Sequence, residues 1–404
     1  MENVPAVLTQ AAEAFGLDPA GLRDLGGASG ATWGTGDRIL RLGTRAGLAD
    51  ELVAMAAAAG VLPVPAVYGQ REIGDHAAAL LERLPGRPAA VVAASRPAAA
   101  RDIGRACGAI HGLLAGVAGP ARLRRRGRDT GTTALLHLDL HPLNVLVGDD
   151  GAVTGVLDWA NTAAGDPLLD RARTWSILTL DPLVRARRAE PWLAALIDGW
   201  TEAADLASIP AWARAGAIRF LLTDLSARYR PDELSHAQRA LADAEAEVLD
   251  EAAPLELRRA QIAEAADLRA LAVAAYQRYV HRIGRLPAPM TADYTATVLD
   301  GEVWVADQDG VIAGLIVLVR EPGHLLIENL AVRPAAQSSG IGSRLLRLAE
   351  ERAREYGLPE LRLYTNEAMT ENIAYYPRRG YTETHRDEQH GFRRVYFTKP
   401  TPPE

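Results

Sequence analysis

One run constrains the fold more than any other: His137-Leu138-Asp139-Leu140-His141-Pro142-Leu143-Asn144, then Val145-Leu146-Val147, the turn Gly148-Asp149-Asp150-Gly151, and Val153 to Asp158. Two β-rich runs joined through Asp-Gly read as a hairpin. A hairpin returns the end of its second strand to the start of its first, so it brings Asn144 near Asp158. An amide oxygen and a carboxylate held together suit Mg²⁺, a hard ion that uses few protein ligands and takes the rest from phosphate and water. Asp139 lies five residues before Asn144. That is the Asp-x-x-x-x-Asn spacing of a phosphoryl-transfer loop, in which the Asp accepts the proton of the substrate hydroxyl.

The chain has 404 residues, enough for two or three domains. Apolar residues at 48% and charged residues at 24% are the balance of a soluble globular protein. A single cysteine, Cys107, excludes an internal disulfide framework and fits a reducing compartment. The N-terminus shows no basic stretch followed by an apolar core, and Arg, Asp or Glu interrupts every Ala/Leu-rich stretch. A cytoplasmic protein with no membrane partner is expected. The net charge of −7 argues against a nucleic-acid partner. Lys399 is the only lysine among 44 basic residues, so a lone arginine carries little information.

The Ala-rich helical stretch around 235–251 stops before Pro254, and proline disfavours helix in the residue before it. We place a domain border there, with residues 1–254 carrying a charge of −6 and 255–404 carrying −1. The second part opens with a short strand (LELRRAQ) and an amphipathic helix to about His281, then alternates strands and helices, the pattern of a mixed sheet covered by helices.

The run HLDLHPLNVLV…GVLDWANTAAGDPLLD resembles the aminoglycoside phosphotransferase family, relatives of protein kinases with a bilobed fold. The resemblance implies Asp139 as catalytic base, Asn144 and Asp158 as Mg²⁺ ligands, and scaffolding roles for Asp166 and Asp170. Leu138 stands where the family usually has glycine, which tolerates conformations that leucine avoids. His137 and His141 read as hydrogen-bonded loop residues. A small lobe is expected over about 1–86 and a helical large lobe over about 87–254. In the small lobe, the Gly-rich run with Gly27, Ser29 and Gly30 is a candidate cover for ATP phosphates. Arg41 lies where kinases place a phosphate-contacting lysine, and Glu51, expected to begin a helix, is its candidate ion-pair partner.

In the second part, Glu328-Asn-Leu-Ala-Val-Arg-Pro334 ends a strand, Gln337-Ser-Ser-Gly340-Ile-Gly342 turns, and a helix follows. Strand, Gly-rich turn and helix N-terminus form an anion cradle, because free N–H groups and the macrodipole meet there. With Asn372-Ile-Ala-Tyr-Tyr376 and Gly380-Tyr381 further on, residues 255–402 resemble the GNAT acetyltransferase superfamily. The resemblance implies that Gln337, Gly340 and Gly342 hold the pyrophosphate of acetyl-CoA, that Asn372 belongs to the same cofactor site, and that the strand of Leu330 and Val332 pairs with the pantetheine arm. Tyr376 is then the general acid to the departing thiolate. Glu328 is the candidate base for the acceptor amine.

The expected fold is thus α+β and α/β in two domains, a bilobed kinase-like fold followed by a GNAT mixed α/β fold. The expected function is bifunctional: Mg-ATP-dependent O-phosphotransfer and acetyl-CoA-dependent N-acetyltransfer to small molecules with hydroxyl and amine groups, antibiotic-like or amino-sugar compounds among them. The alternative is an acetyltransferase regulated by a non-catalytic, ligand-sensing kinase-like domain. No sequence feature speaks to oligomeric state.

Overall fold

The structure, a computed structural model, describes residues 4–26, 32–127, 133–250, 254–337 and 339–402. It divides into two compact units, Met1–Ala244 and Glu245–Glu404. The division falls inside the helix Ser235–Asp250, ahead of Pro254. The reason is tertiary: Glu245 pairs with Arg333 at 2.5 Å, and the Val248 carbonyl accepts from Gln308 Nε2 at 3.0 Å, so the helix end is tied to the second unit's own sheet.

The first unit opens with the helix Val4–Ala14 and a five-stranded antiparallel sheet. Its order is Arg23–Asp24, Thr32–Thr35, Arg38–Thr44, His76–Glu82, Val67–Ile73. The helix after Arg38–Thr44 starts at Arg45, six residues before Glu51, because Thr44 caps it by accepting from Gly47 N–H at 3.1 Å. Glu51 therefore lies mid-helix, where the side chain turns inward. After this sheet the unit is mainly helical. The hairpin Val145–Val147 with Val153–Val156 forms as the Asp-Gly turn requires, with Val145 opposite Val156. The helix Pro167–Leu180 begins at an Asp166 cap with Pro167 at its first position, both strong start signals.

The second unit is a seven-stranded sheet in the order Glu256–Arg259, Glu302–Gln308, Val311–Glu321, His324–Val332, Glu360–Asn366, Phe392–Pro400, Thr382–Gln389. All neighbours are antiparallel except His324–Val332 with Glu360–Asn366. Val311–Glu321 is apolar on both faces because helices cover both. Leu268, Leu271 and Ala272 of Ala265–Ile283 pack with Val305, Leu315 and Val317. Leu345, Leu346 and Ala349 of Ile341–Glu355 pack with Ile316, Leu318, Ile327 and Leu363. In the strands Glu360–Asn366 and Phe392–Pro400, Leu361, Leu363, Val395 and Phe397 join this second core. Alternation turns Arg362, Tyr364, Arg394 and Tyr396 to the opposite face.

The parallel ladder of His324–Val332 stops at Ile327 opposite Leu363. At the next residue, Glu328, the register with Val311–Glu321 slips by a bulge. A bulge bends the strand that carries it. Glu328–Val332 therefore leaves Tyr364–Asn366 behind, and a cleft opens between two strands of one sheet.

Candidate active sites

In the first unit the predicted residues converge. Asn144 Nδ2 donates to the Asp139 backbone carbonyl at 3.0 Å and to Asp139 Oδ2 at 3.3 Å. The Leu157 N–H donates to the Asn144 carbonyl at 2.8 Å, so the hairpin register sets Asn144 beside Asp158. Arg41 and Glu51 form a buried two-point pair, Nε to Oε2 at 3.1 Å and Nη2 to Oε1 at 3.0 Å. Burial pushes the Glu51 carboxyl above its ordinary value, and the Arg41 hydrogen bonds oppose that. Arg41 Nη2 also lies 3.8 Å from Asp158 Oδ1. The predicted Gly27, Ser29 and Gly30 lie outside the described residues. The strands flanking them pair, the Leu25 N–H donating to the Thr32 carbonyl at 3.1 Å.

Asp139 sits among opposing electrostatic influences. Burial raises its pKa, Arg173 and His137 oppose the rise, and Asp158 adds to it. His141 Nε2 stands 4.0 Å from Asp139 Oδ2, but burial drops the His141 pKa to about 4, so it brings no charge at neutral pH. His137 accepts from the Asp139 N–H at Nδ1 (3.2 Å) and donates from Nε2 to the Leu157 carbonyl at 2.9 Å, a neutral ring bracing the loop.

Leu138 sits in the left-handed region at φ +61°. A left-handed residue with a side chain costs about 1–2 kcal/mol, whereas a buried leucine side chain contributes about 1.5–3 kcal/mol. Leu138 is 2% exposed and packs with Leu136 and Ala163, so burial offsets the strain. Asp170 holds the turn: its Oδ1 accepts from the His137 N–H at 2.8 Å and the Leu138 N–H at 2.7 Å, and its Oδ2 from His111 Nδ1 at 2.8 Å. Burial acts to raise the Asp170 pKa, but those bonds hold it below its ordinary value.

Sequence reasoning missed Arg173 and Asp224. Arg173 donates from Nε to the Leu138 carbonyl at 3.2 Å, pairs with Asp224, and reaches within 3.9 Å of Asp139. Its one available signal was the spacing of three from Asp170 on a helix, which puts both on one face.

For Mg²⁺ the donor set fits on one observation. Asp158 Oδ1 is buried with no hydrogen-bond partner among the described residues, Arg41 Nη2 at 3.8 Å being beyond hydrogen-bond reach, and a buried carboxylate oxygen left without a hydrogen bond is costly. The Asn144 amide spends its nitrogen on Asp139, leaving its oxygen as the second donor.

In the second unit the cleft divides into two cavities that share Tyr276, Leu330, Asn372 and Tyr376. The larger, about 430 Å³, is lined by Val332, Gln337, Gly340 and Gly342, with Arg278, Arg378 and Arg379 on its walls. Gly340 caps the helix Ile341–Glu355 at φ +88°, with no side-chain cap on the helix. A Cβ added to Gly340 would meet nothing within 4 Å among the described residues. The carbonyls of Leu330 and Val332 face the cleft, accepting from Tyr276 Oη at 3.2 Å and from Gln337 Nε2 at 3.1 Å. Asn372 Nδ2 donates to Thr365 Oγ1 at 3.2 Å, tying its helix to the strand across the cleft.

Tyr376 stands at the junction. It is 7% exposed, its ring meets those of Tyr375, Tyr381 and Phe397, and burial pushes its phenol above the ordinary value, so it keeps its proton. Glu328 is exposed on the bulge and lines the smaller cavity, with Tyr364 and Arg394. Tyr276, not singled out from sequence, donates to Asn329 Oδ1 at 2.7 Å.

These two sites are those of transferase domains. The model of the phosphotransferase enzyme family matches residues 26–132 and 121–218, and that of the acetyltransferase (GNAT) family matches residues 265–381. The chain joins a domain of the first family to a domain of the second. Uncharacterized protein YxbD of Bacillus subtilis is 33% identical over 88 residues, which is 22% of this chain and 54% of that protein. Uncharacterized protein YcbJ of the same organism is 45% identical over 40 residues, 10% of this chain and 13% of that protein. The chain thus spans about half, or much less, of these curated relatives. A solved nourseothricin acetyltransferase is 30% identical, covering 26% of this chain and 66% of that one, with a TM-score of 0.24. No helix among the described residues is long and apolar enough to cross a membrane.

Proposed function

We propose a bifunctional enzyme that modifies small molecules in the cytoplasm, phosphorylating a hydroxyl in its first unit and acetylating an amine in its second. Acceptors are antibiotic-like or amino-sugar compounds, which carry both groups. The observation that supports the reading is that each unit brings candidate groups together: Asp139, Asn144, Asp158 and the Arg41–Glu51 pair in one, and the splayed cleft with Tyr376 at its fork in the other.

In the first unit Asp139 accepts the proton of the acceptor hydroxyl, favoured by its raised pKa. Asn144 and Asp158 would hold Mg²⁺, which would supply positive charge to the ATP phosphates. Arg41, fixed by Glu51, turns its guanidinium edge to the same phosphates. Completeness of the ion pair and of the Asp139–Asn144 contact favours turnover over a purely ligand-sensing role. In the second unit, the N-terminus of Ile341–Glu355 and the arginines around it take the phosphates of acetyl-CoA. Glu328 accepts the proton of the amine as nitrogen bonds to the acetyl carbon. Tyr376 gives its proton to the sulfur as the thioester bond breaks.

Two assays on the full chain test this, ADP release and CoA release over a panel of aminoglycosides, macrolides and peptide antibiotics. Asp139→Ala is expected to lower only ADP release and Tyr376→Phe only CoA release, each by about 10²–10⁴-fold. ADP release unchanged in Asp139→Ala removes the assigned base. Nucleotide binding that ignores Mg²⁺ removes Asn144 and Asp158 as its ligands.

A further inference from the structure

The acceptor side of the second unit carries two opposite charges on one small cavity. Glu328 and Arg394 both line the smaller cavity, of about 80 Å³. That is room for a head group of a few heavy atoms. Between them lies Tyr364, with the Arg394 guanidinium 4.1 Å from its ring centroid. Burial raises the Tyr364 pKa, Arg394 opposes the rise and Glu328 adds to it, so both charges act on the same phenol.

Arg394 is held in place but not neutralised. Nη1 donates to Gln389 Oε1 at 2.9 Å, and Arg394 makes no ion pair among the described residues. Asp387 is its cross-strand neighbour, yet spends Oδ1 on the Glu388 N–H. A guanidinium fixed by an amide and an aromatic face is pre-organised for a planar carboxylate.

Arg394 and Tyr364 also line a third cavity, about 510 Å³, on the sheet face turned away from the core. It shares Tyr364 and Arg394 with the head-group cavity and has an aromatic wall. His385 stacks on Tyr396 with centroids 4.3 Å apart and planes 4° apart. Tyr396 and His324 are among its lining residues, with Leu326, Leu363 and Phe397. A cavity of this size with aromatic and apolar lining suits an organic ligand group.

We infer that the acetyl acceptor is an α-amino acid with a ring-bearing side chain, its ammonium beside Glu328, its carboxylate on Arg394 and its ring in the third cavity. This rests on the acetyl-transfer reading above and narrows its acceptor class, away from polycationic amino sugars in this unit. The ammonium loses one proton to Glu328, the freed lone pair forms the N–C bond to the acetyl carbon, and the C–S bond electrons leave on sulfur, which Tyr376 protonates; the second nitrogen proton, lost as the amide forms, restores the Tyr376 phenol through water.

The test uses the full chain with phenylalanine, tyrosine, tryptophan and histidine, each beside its primary amide and its decarboxylated amine, and kanamycin as a polycationic control. CoA release is read with acetyl-CoA present, and thermal shift of the same mixtures reads binding without turnover. At least one amino acid is expected to exceed its amide and amine tenfold or more in kcat/KM, and to raise the melting temperature where they do not. Arg394→Gln is expected to erase that margin. Carboxylate-dependent thermal shifts without CoA release keep the amino acid as this site's ligand and overturn the transfer reading. Equal responses of acid, amide and amine, no response from any, or a preference for kanamycin overturn the assignment itself.

Discussion

The two candidate sites are built from different material. In the first unit the site is a network of side chains: Arg41 on Glu51, Asn144 on Asp139, and Asp170 on two backbone N–H groups and His111. In the second unit it is mostly backbone: a ladder that ends at Ile327, a bulge at Glu328, and an uncapped helix start at Gly340. A side-chain network fails when one partner is removed, because the other is left buried and unpaired. A backbone-built cleft survives most single substitutions and fails only where a main-chain conformation is forbidden to the new residue. Substitutions should therefore cost the first unit stability and the second unit ligand affinity.

The largest expected effect is at the buried ion pair. Arg41→Met leaves Glu51 buried without its cation, and breaking a buried pair from one side costs about 3–5 kcal/mol. Six of the seven tryptophans lie in the first unit, so tryptophan fluorescence during urea unfolding follows that unit. Arg41→Met should shift its midpoint strongly downward, and Glu51→Gln in the Met background should recover part of the loss. A shift no larger than that of an exposed arginine, such as Arg230, would dissolve the contrast between the units.

A smaller loss is expected at the catalytic loop. Leu138→Gly removes the strain of the left-handed turn, worth about 1–2 kcal/mol. It also empties a buried leucine site, and leucine truncations in cores cost about 2.7–5 kcal/mol. Burial wins, and the substitution should lower stability by about 2 kcal/mol although it restores the residue usual in the family. A stabilised Leu138→Gly protein would mean that the turn, not the core beneath it, limits this loop.

The same contrast explains what the sequence disclosed. Asp139, Asn144 and Asp158 were legible because their chemistry depends on residue type at fixed spacing, and a hairpin turn between them is written in Asp-Gly. Gly340 was legible because only glycine readily takes φ +88°. Arg173 and Asp224 were not, since their pairing joins residues 51 apart and one arginine among 43 gives no signal. The strand Thr382–Gln389 escaped because every residue in it is exposed. It has no buried face to impose alternation and is recruited by its partner Phe392–Pro400. The compact units divide after Ala244, inside a helix where the sequence shows no break, for a similar reason, as the Glu245–Arg333 pair spans 88 residues.

The smallest effect on stability, and the sharpest use of the comparison, is at Gly340. A Cβ there meets no atom of the described residues, so Gly340→Ala is expected to cost the left-handed conformation, about 1 kcal/mol. If the space in front of Gly340 belongs to the pyrophosphate of acetyl-CoA, that Cβ meets the ligand instead of the protein. Affinity should then fall by more than the roughly fivefold that a loss of 1 kcal/mol corresponds to, while the melting midpoint of the second unit moves little. Calorimetric titration of acetyl-CoA against wild type and Gly340→Ala separates the two quantities. Equal losses in stability and affinity would mean that Gly340 only shapes the helix start. The anion would then be held by Arg278, Arg378 and Arg379, and the second site would be a side-chain site after all.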